Sequence, residues 1–250
     1  GVFMKTEKNT ILKLTAGKVC EGFKAEINTE ANIKELKWCV KDQSGNKAVE
    51  GTEQNVNKNS LVVTASFDAK PWSVENPNLY TFEASILFEN NETEDVSDRF
   101  GFRYFDTDKK NIYLNGFPFY MRAYIRGAAA HEHQNNCNLS EYEFYKKNIT
   151  MAKSYGFNTI RFHSVTPPHE CFMAADELGM LIHIEMRKDK IVYDNLHEML
   201  YGKNDFVTNE ELTNIIDDLY NHPSFMVYCI GNEIREPSKK PRVKEIRDFI

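Results

Sequence analysis

The chain has 250 residues, 41% of them hydrophobic and 27% charged, with a formal net charge of -6. That length gives one large domain or two ordinary ones. The acidic balance excludes a general nucleic-acid binder, which carries a basic excess, and no apolar run reaches membrane-spanning length. The five cysteines, at positions 20, 39, 137, 171 and 229, are scattered and form no CxxC pair. This is no disulfide framework. Reduced thiols and a cytoplasmic protein are expected, and no secretory leader is read at Gly1.

The first hundred residues read as short strands. The candidates are Thr10–Thr15, Gly22–Asn28, Ile33–Val40, Lys47–Glu53, Ser60–Phe67, Tyr80–Phe88 and Glu94–Phe102. Tyr80, Phe82, Ala84, Ile86 and Phe88 alternate on one face, and Ser44-Gly45-Asn46, Asn57–Asn59 and Glu89-Asn90-Asn91 supply turns. Strands at this spacing predict an all-β sandwich of immunoglobulin-like architecture over 6–105. Trp72, in the loop Pro71–Tyr80, reads as a packing residue.

After Phe105 the pattern changes to apolar runs alternating with helical periods, the signature of βα units and a parallel sheet. Asp106–Lys110 is a polar linker. Ile112–Leu114, Asn115-Gly116 and Phe119–Met121 predict a small hairpin, because Asn-Gly is a strong two-residue turn. A first barrel-type strand is placed within Phe119–Ile125. Ser140 and Glu143 form a capping box that opens a helix with Tyr145, Ile149 and Ala152 on its apolar face. Asn158–His163 is the second strand. Pro167-Pro168 opens a second helix with Phe172, Ala175 and Leu178 inward, while Glu170 and Asp176-Glu177 read as a solvated face. Met180–Ile184 is the third strand, ending in Glu185. The long stretch Met186–Val207 exceeds a plain connection, which points to a functional or mobile loop. Its Tyr193, His197 and Tyr201 are candidate sugar-stacking or surface residues. Thr208 and Glu211 cap a third helix whose stripe is Leu212, Ile215, Ile216 and Leu219. With the strand at Phe225–Ile230 and the start of a fourth helix read at Pro241–Ile250, four strand–helix units are half of the eight that close a (β/α)8 barrel, so 106–250 reads as an incomplete barrel; an open four-stranded sheet is the alternative.

Phe225–Ile230 is a short apolar run without alternation, as in a strand buried on both faces. It ends in Gly231-Asn232-Glu233. Catalytic groups of such barrels lie at the C-terminal ends of their strands. Glu233 is therefore the leading candidate, with Asn232 placed to hydrogen-bond a substrate hydroxyl.

The chain from about Trp72 to Glu233 resembles glycoside hydrolase family 2, which includes β-galactosidases, β-glucuronidases and β-mannosidases. The residues that carry the resemblance are Pro77-Asn-Leu-Tyr80, Gly101-Phe-Arg103, Leu114-Asn-Gly-Phe-Pro118, Arg126-Gly127 with His131-Glu-His133, Gly156-Phe-Asn-Thr-Ile-Arg161, Asp176-Glu-Leu-Gly179, His222-Pro-Ser224 and Gly231-Asn-Glu233. The resemblance implies the tail of a jelly-roll domain at 1–5, an immunoglobulin-like sandwich at 6–105 and the first half of a TIM barrel at 106–250. It implies Glu233 as general acid/base, Asn232 on the sugar 2-hydroxyl, Arg161 as support for the nucleophile, and His131 and His163 as sugar contacts. Glu185 stands where some members place a magnesium ligand; no other cofactor is implied. Two departures bear on substrate identity. The spacing from Arg126-Gly127 to His131 is longer than usual, and Phe162-His163-Ser164 replaces the common Ser-His pattern.

A retaining glycosidase needs two carboxyl groups about 5–5.5 Å apart, one as acid/base and one as nucleophile. The resemblance puts the nucleophile on a seventh strand, so residues 1–250 alone are expected to hydrolyse nothing. The leading reading is thus part of an exo-acting retaining β-glycosidase with a carbohydrate substrate and, in full length, possible homo-oligomers. The runner-up is a non-catalytic carbohydrate-binding protein on the same scaffold. A third reading is a metal enzyme using His131, His133 and Glu185. Read structurally, Arg161 is the ion-pair partner of a carboxylate such as Glu185.

Overall fold

The structure, a computed structural model, describes residues 10–126, 138–163, 165–185 and 209–229. It divides into two compact units. The first runs to Tyr120 and includes Asp217–Pro223; the second runs from Met121 to Ile216 and resumes at Ser224.

The first unit is built on β1 (Ile11–Ala16), β2 (Phe23–Asp42), β3 (Lys47–Ala65), β4 (Tyr80–Phe88) and β5 (Thr93–Phe100), all antiparallel. Phe23–Asn28 of β2 lies between β1 and Ser60–Ala65 of β3. Ile33–Asp42 of β2 instead lies between β4 and the first part of β3. The register shifts between Asn28 and Glu35, so each long strand passes from one layer to the other. Such irregularities bend a strand and re-aim it. Phe23, Ala25 and Ile27 from one layer meet Leu36, Val40, Phe82, Ala84, Ile86 and Val96 from the other, all buried. The Phe23 ring sits 6.0 Å from Trp38 and 5.9 Å from Phe82, edge-on in both cases. This is a two-layer β-sandwich. The seven expected strands are present, with the second and third continuous as β2 and the fourth and fifth continuous as β3. In β3 the crossing is made at Asn55 and Asn57, with φ of 53° and 52°, a conformation Asn tolerates better than most residues.

Two close approaches set the local detail. Gly51 lies opposite Trp38 across β2 and β3, and a Cβ there would fall 2.5 Å from the indole. Trp72 is fully buried; its N–H donates to Phe102 O at 2.8 Å and its carbonyl accepts from Asn115 Nδ2 at 2.8 Å. It packs, as expected.

A small antiparallel sheet follows: β6 (Phe105–Thr107), β7 (Ile112–Leu114) and β8 (Phe117–Phe119). Asn115 and Gly116 both have positive φ, 54° and 82°, as a two-residue type I′ turn requires. A turn this short fixes the register, so the second hairpin strand starts at Phe117, before the expected Phe119–Met121. The first parallel strand, expected within Phe119–Ile125, starts inside that window at Ala123, because Phe119 is already spent in β8. The segment Asp217–Pro223 completes this unit. Lys13 Nζ pairs with Asp217 at 2.8 Å. The Asn221 side chain accepts from Leu14 N at 3.0 Å and donates to Asp98 at 2.7 Å, and Arg103 Nε donates to Pro223 O at 2.9 Å.

The second unit contains β9 (Ala123–Arg126), α1 (Glu141–Ser154), β10 (Thr159–Phe162), α2 (His169–Leu178), β11 (Leu181–Glu185), α3 (Asn209–Leu219, whose last residues belong with the first unit) and β12 (Phe225–Cys229). The strands form a parallel sheet in the order β12-β11-β10-β9. The capping box at Ser140 is complete: Ser140 N donates to the Glu143 carboxylate at 2.9 Å and Glu143 N donates to Ser140 Oγ at 3.3 Å. Tyr145, Ile149 and Ala152 are buried as the periodicity predicts. Ile160, Phe162, Ile182 and Ile184 are buried on one face of the sheet.

Three expectations are corrected. Asp176 is not on a solvated face; it is buried and accepts from Ser224 N at 2.9 Å, holding the start of β12. The i, i+4 pair Phe172 and Asp176 share the inward side of α2, so the helix turns its carboxylate to the chain entering the strand. Leu178 is only half-buried. Every residue of β12 is half-buried, not enclosed on both faces, because β12 is the edge strand of this sheet among the described residues.

Candidate active site

Residues paired across a parallel ladder point to the same face, and alternate residues along a strand do so too. Arg161 pairs with His183, and Glu185 pairs with Cys229. Arg161, His183, Glu185 and Cys229 therefore share the face opposite Ile160, Phe162, Ile182 and Ile184. Ile125, paired with Arg161, is 62% exposed. The polar groups gather at the C-terminal ends of β10, β11 and β12.

Glu185 is the anchor. Its side chain is fully buried, and Arg161 Nη2 donates to Oε1. The His163 Nδ1 is 4.0 Å from the other carboxylate oxygen, and Thr166 Oγ1 donates to the Glu185 backbone carbonyl at 3.5 Å. A buried carboxylate is tolerated only when paired and hydrogen-bonded, and Arg161 supplies that pairing while keeping part of its guanidinium in solvent. Burial pushes the His183 imidazole down from its ordinary pKa, and the Arg161 cation pushes the same way, against an opposing pull from Glu185. The His183 Nε2 is buried without a hydrogen-bond partner. Cys171 lies in α2, away from the cluster, and burial pushes its thiol up, as for an inert core cysteine.

The structure brings together three residues singled out in the sequence, Arg161, His163 and Glu185. It supports the structural reading of Arg161 as the Glu185 ion-pair partner. Glu233, Asn232 and the His131-Glu132-His133 run lie outside the described residues, as do Tyr193, His197 and Tyr201. His183 and Cys229 were missed by sequence reasoning. The signal available for His183 was period-two spacing from Glu185 on the same strand.

Chemically, the cluster offers a cation held by a buried carboxylate, with an imidazole at its rim. The family model described as glycosyl hydrolases family 2 matches residues 2–103, the sandwich. A putative β-glucuronidase of Formosa agariphila is 32% identical over 167 residues, covering 66% of this chain and 19% of that protein. A β-galactosidase of Vibrio vulnificus is 27% identical over 172 residues, covering 66% of this chain and 16% of that protein. The chain belongs to glycosyl hydrolase family 2. It spans about a fifth of the length of the curated relatives it matches. The fold is shared with apo β-glucuronidase 3 of Bacteroides uniformis, at a TM-score of 0.73 and 22% identity, over 96% of this chain and 31% of that one. It is shared also with the Ruminococcus gnavus β-glucuronidase in complex with D-glucuronic acid, at a TM-score of 0.68 and 17% identity, over 95% and 39%.

Proposed function

We propose that the protein carrying this chain is a retaining exo-β-glycosidase that hydrolyses O-glycosyl bonds. In this reading residues 6–105 are its immunoglobulin-like sandwich, 106–250 are the first four βα units of its TIM-barrel catalytic domain, and 1–5 are the tail of a preceding β domain. The observation that carries the proposal is the Arg161–Glu185–His163 cluster at the C-terminal ends of adjacent parallel strands. In parallel barrels that end is where chemistry is done, and β12, the next strand of the same sheet, leads directly to Asn232-Glu233.

Glu233 protonates the leaving oxygen and then activates water. That role needs a carboxyl whose pKa is raised by burial or by a second carboxylate. Asn232 holds the sugar 2-hydroxyl, Arg161 supports the nucleophile, and His163 and His131 contact the sugar. The nucleophile is a second Glu outside residues 1–250, so these residues by themselves turn over no glycoside. β-Glucuronides are the first substrates to test, since the relative at 32% identity carries that name.

The test is hydrolysis of p-nitrophenyl β-glucuronide and β-galactoside by the whole protein and its Glu233→Gln variant. The wild type turns over at least one β-glycoside, and Glu233→Gln lowers kcat by about 10²–10⁴, the usual contribution of a general acid/base. A variant within twofold of wild type removes Glu233 from the mechanism. Sugar binding with no turnover by the wild type moves the protein to the carbohydrate-binding class.

A further inference from the structure

His183, Glu185 and Cys229 offer one imidazole nitrogen, one carboxylate oxygen and one thiol sulfur, all within 4.8 Å of one another. They are the one such group among the described residues. Two adjacent strands of one parallel sheet hold them, with Glu185 directly opposite Cys229 and His183 two residues before Glu185. Ligands on paired strands are positioned more rigidly than ligands on loops. The buried His183 Nε2 has no hydrogen-bond partner. A buried polar atom left so is costly and calls for an explanation, and a metal bond is one that suits imidazole.

We propose that His183, Glu185 and Cys229 form a binding site for a zinc-class divalent cation. A nitrogen, oxygen and sulfur set is borderline-soft, which selects zinc or cobalt over magnesium. With zinc bonds of about 2.0–2.3 Å, tetrahedral ligand atoms stand about 3.3–3.6 Å apart. The group reaches that by contracting about 1 Å at its widest, within the range of side-chain adjustment. Three protein ligands leave a fourth position open, as in exchangeable rather than closed structural sites. The bound ion draws on the carboxylate that holds Arg161, so occupancy weakens that ion pair. The site shares Glu185 with the cluster behind the glycosidase reading, but its ligands are defined without Glu233, so the metal titration can fail while that reading stands.

The experiment titrates cobalt(II) into the metal-stripped whole protein and follows near-ultraviolet absorption, where only thiolate ligation gives a strong charge-transfer band. One equivalent of cobalt raises the band, zinc abolishes it by competition, and Cys229→Ser and His183→Ala each remove it. No band, or a band that survives Cys229→Ser, overturns the proposal. A second measurement needs no variant. Peptide mapping after iodoacetamide treatment of the wild type reads alkylation at each cysteine. Stoichiometric zinc slows alkylation of Cys229 at least tenfold while that of the exposed Cys20 is unchanged; equal rates at Cys229 with and without zinc overturn it.

Discussion

Asn221 offers the sharpest test of how the sandwich holds the segment that precedes β12. Its amide is buried and bridges two groups of the sandwich: the Oδ1 accepts from Leu14 N at 3.0 Å, and the Nδ2 donates to Asp98 Oδ2 at 2.7 Å. Asn221→Ala leaves the Leu14 N–H, on a residue only 1% exposed, without its side-chain acceptor. An orphaned buried donor costs about 1–3 kcal/mol, and the lost bond to the largely buried Asp98 carboxylate adds about 1 kcal/mol. The expected loss is therefore about 2–4 kcal/mol in the sandwich. Urea unfolding by tryptophan fluorescence reads it directly, because both tryptophans of the chain, Trp38 and Trp72, lie in this unit. A loss below about 0.5 kcal/mol, the range of featureless surface substitutions, refutes the reasoning. Asn221→Asp makes the mechanism specific. It keeps the acceptor for Leu14 N but sets two carboxylates against each other, so its penalty is large at neutral pH and shrinks on acidification, when the pair shares a proton.

Burial raises the pKa of Asp98 above its ordinary value despite the Asn221 hydrogen bond. A raised folded-state pKa means stability present at low pH and lost as pH rises through it; the stability of Asp98→Asn relative to wild type therefore improves from pH 3 to pH 7, measured by urea midpoints at each pH. Arg161→Met removes the guanidinium that pairs with the fully buried Glu185 carboxylate and is expected to destabilise by about 3–5 kcal/mol in thermal or urea unfolding. Asp176→Ala strands the Ser224 N–H and costs about 1–3 kcal/mol, whereas Asp176→Asn retains an acceptor and loses less. Ser140→Ala removes a complete capping box and costs about 1 kcal/mol, read as loss of helical circular dichroism in a melt. Gly51→Val drives side-chain atoms into the Trp38 ring and costs about 1–3 kcal/mol, with a shifted tryptophan emission.

Most of the architecture was legible because its signals are local. Alternation in Tyr80–Phe88 placed β4 at its observed bounds, Ser140 with Glu143 placed the start of α1, and Asn115-Gly116 placed the hairpin turn. The misses share another cause: they depend on partners distant in sequence. Nothing local in Thr29–Asn32 announces that the chain stays extended through the layer crossing. Asp176 reads as solvated until its bond to Ser224, 48 residues away, is known. The site divides the same way. Arg161 and Glu185 were named from strand ends and family motifs, and their ion pair was anticipated. Cys229 looked like one residue of an apolar run, since only the register of β11 with β12 sets it beside Glu185 and His183.

The central claim is that this chain serves a retaining β-glycosidase, and the stereochemistry of the first product tests it most directly. The whole protein is mixed with an aryl β-glycoside in deuterated buffer, and the anomeric proton of the released sugar is followed by NMR from the first turnovers. The account predicts that the β-anomer appears first and then mutarotates. The α-anomer appearing first, or no hydrolysis of any β-glycoside, contradicts it.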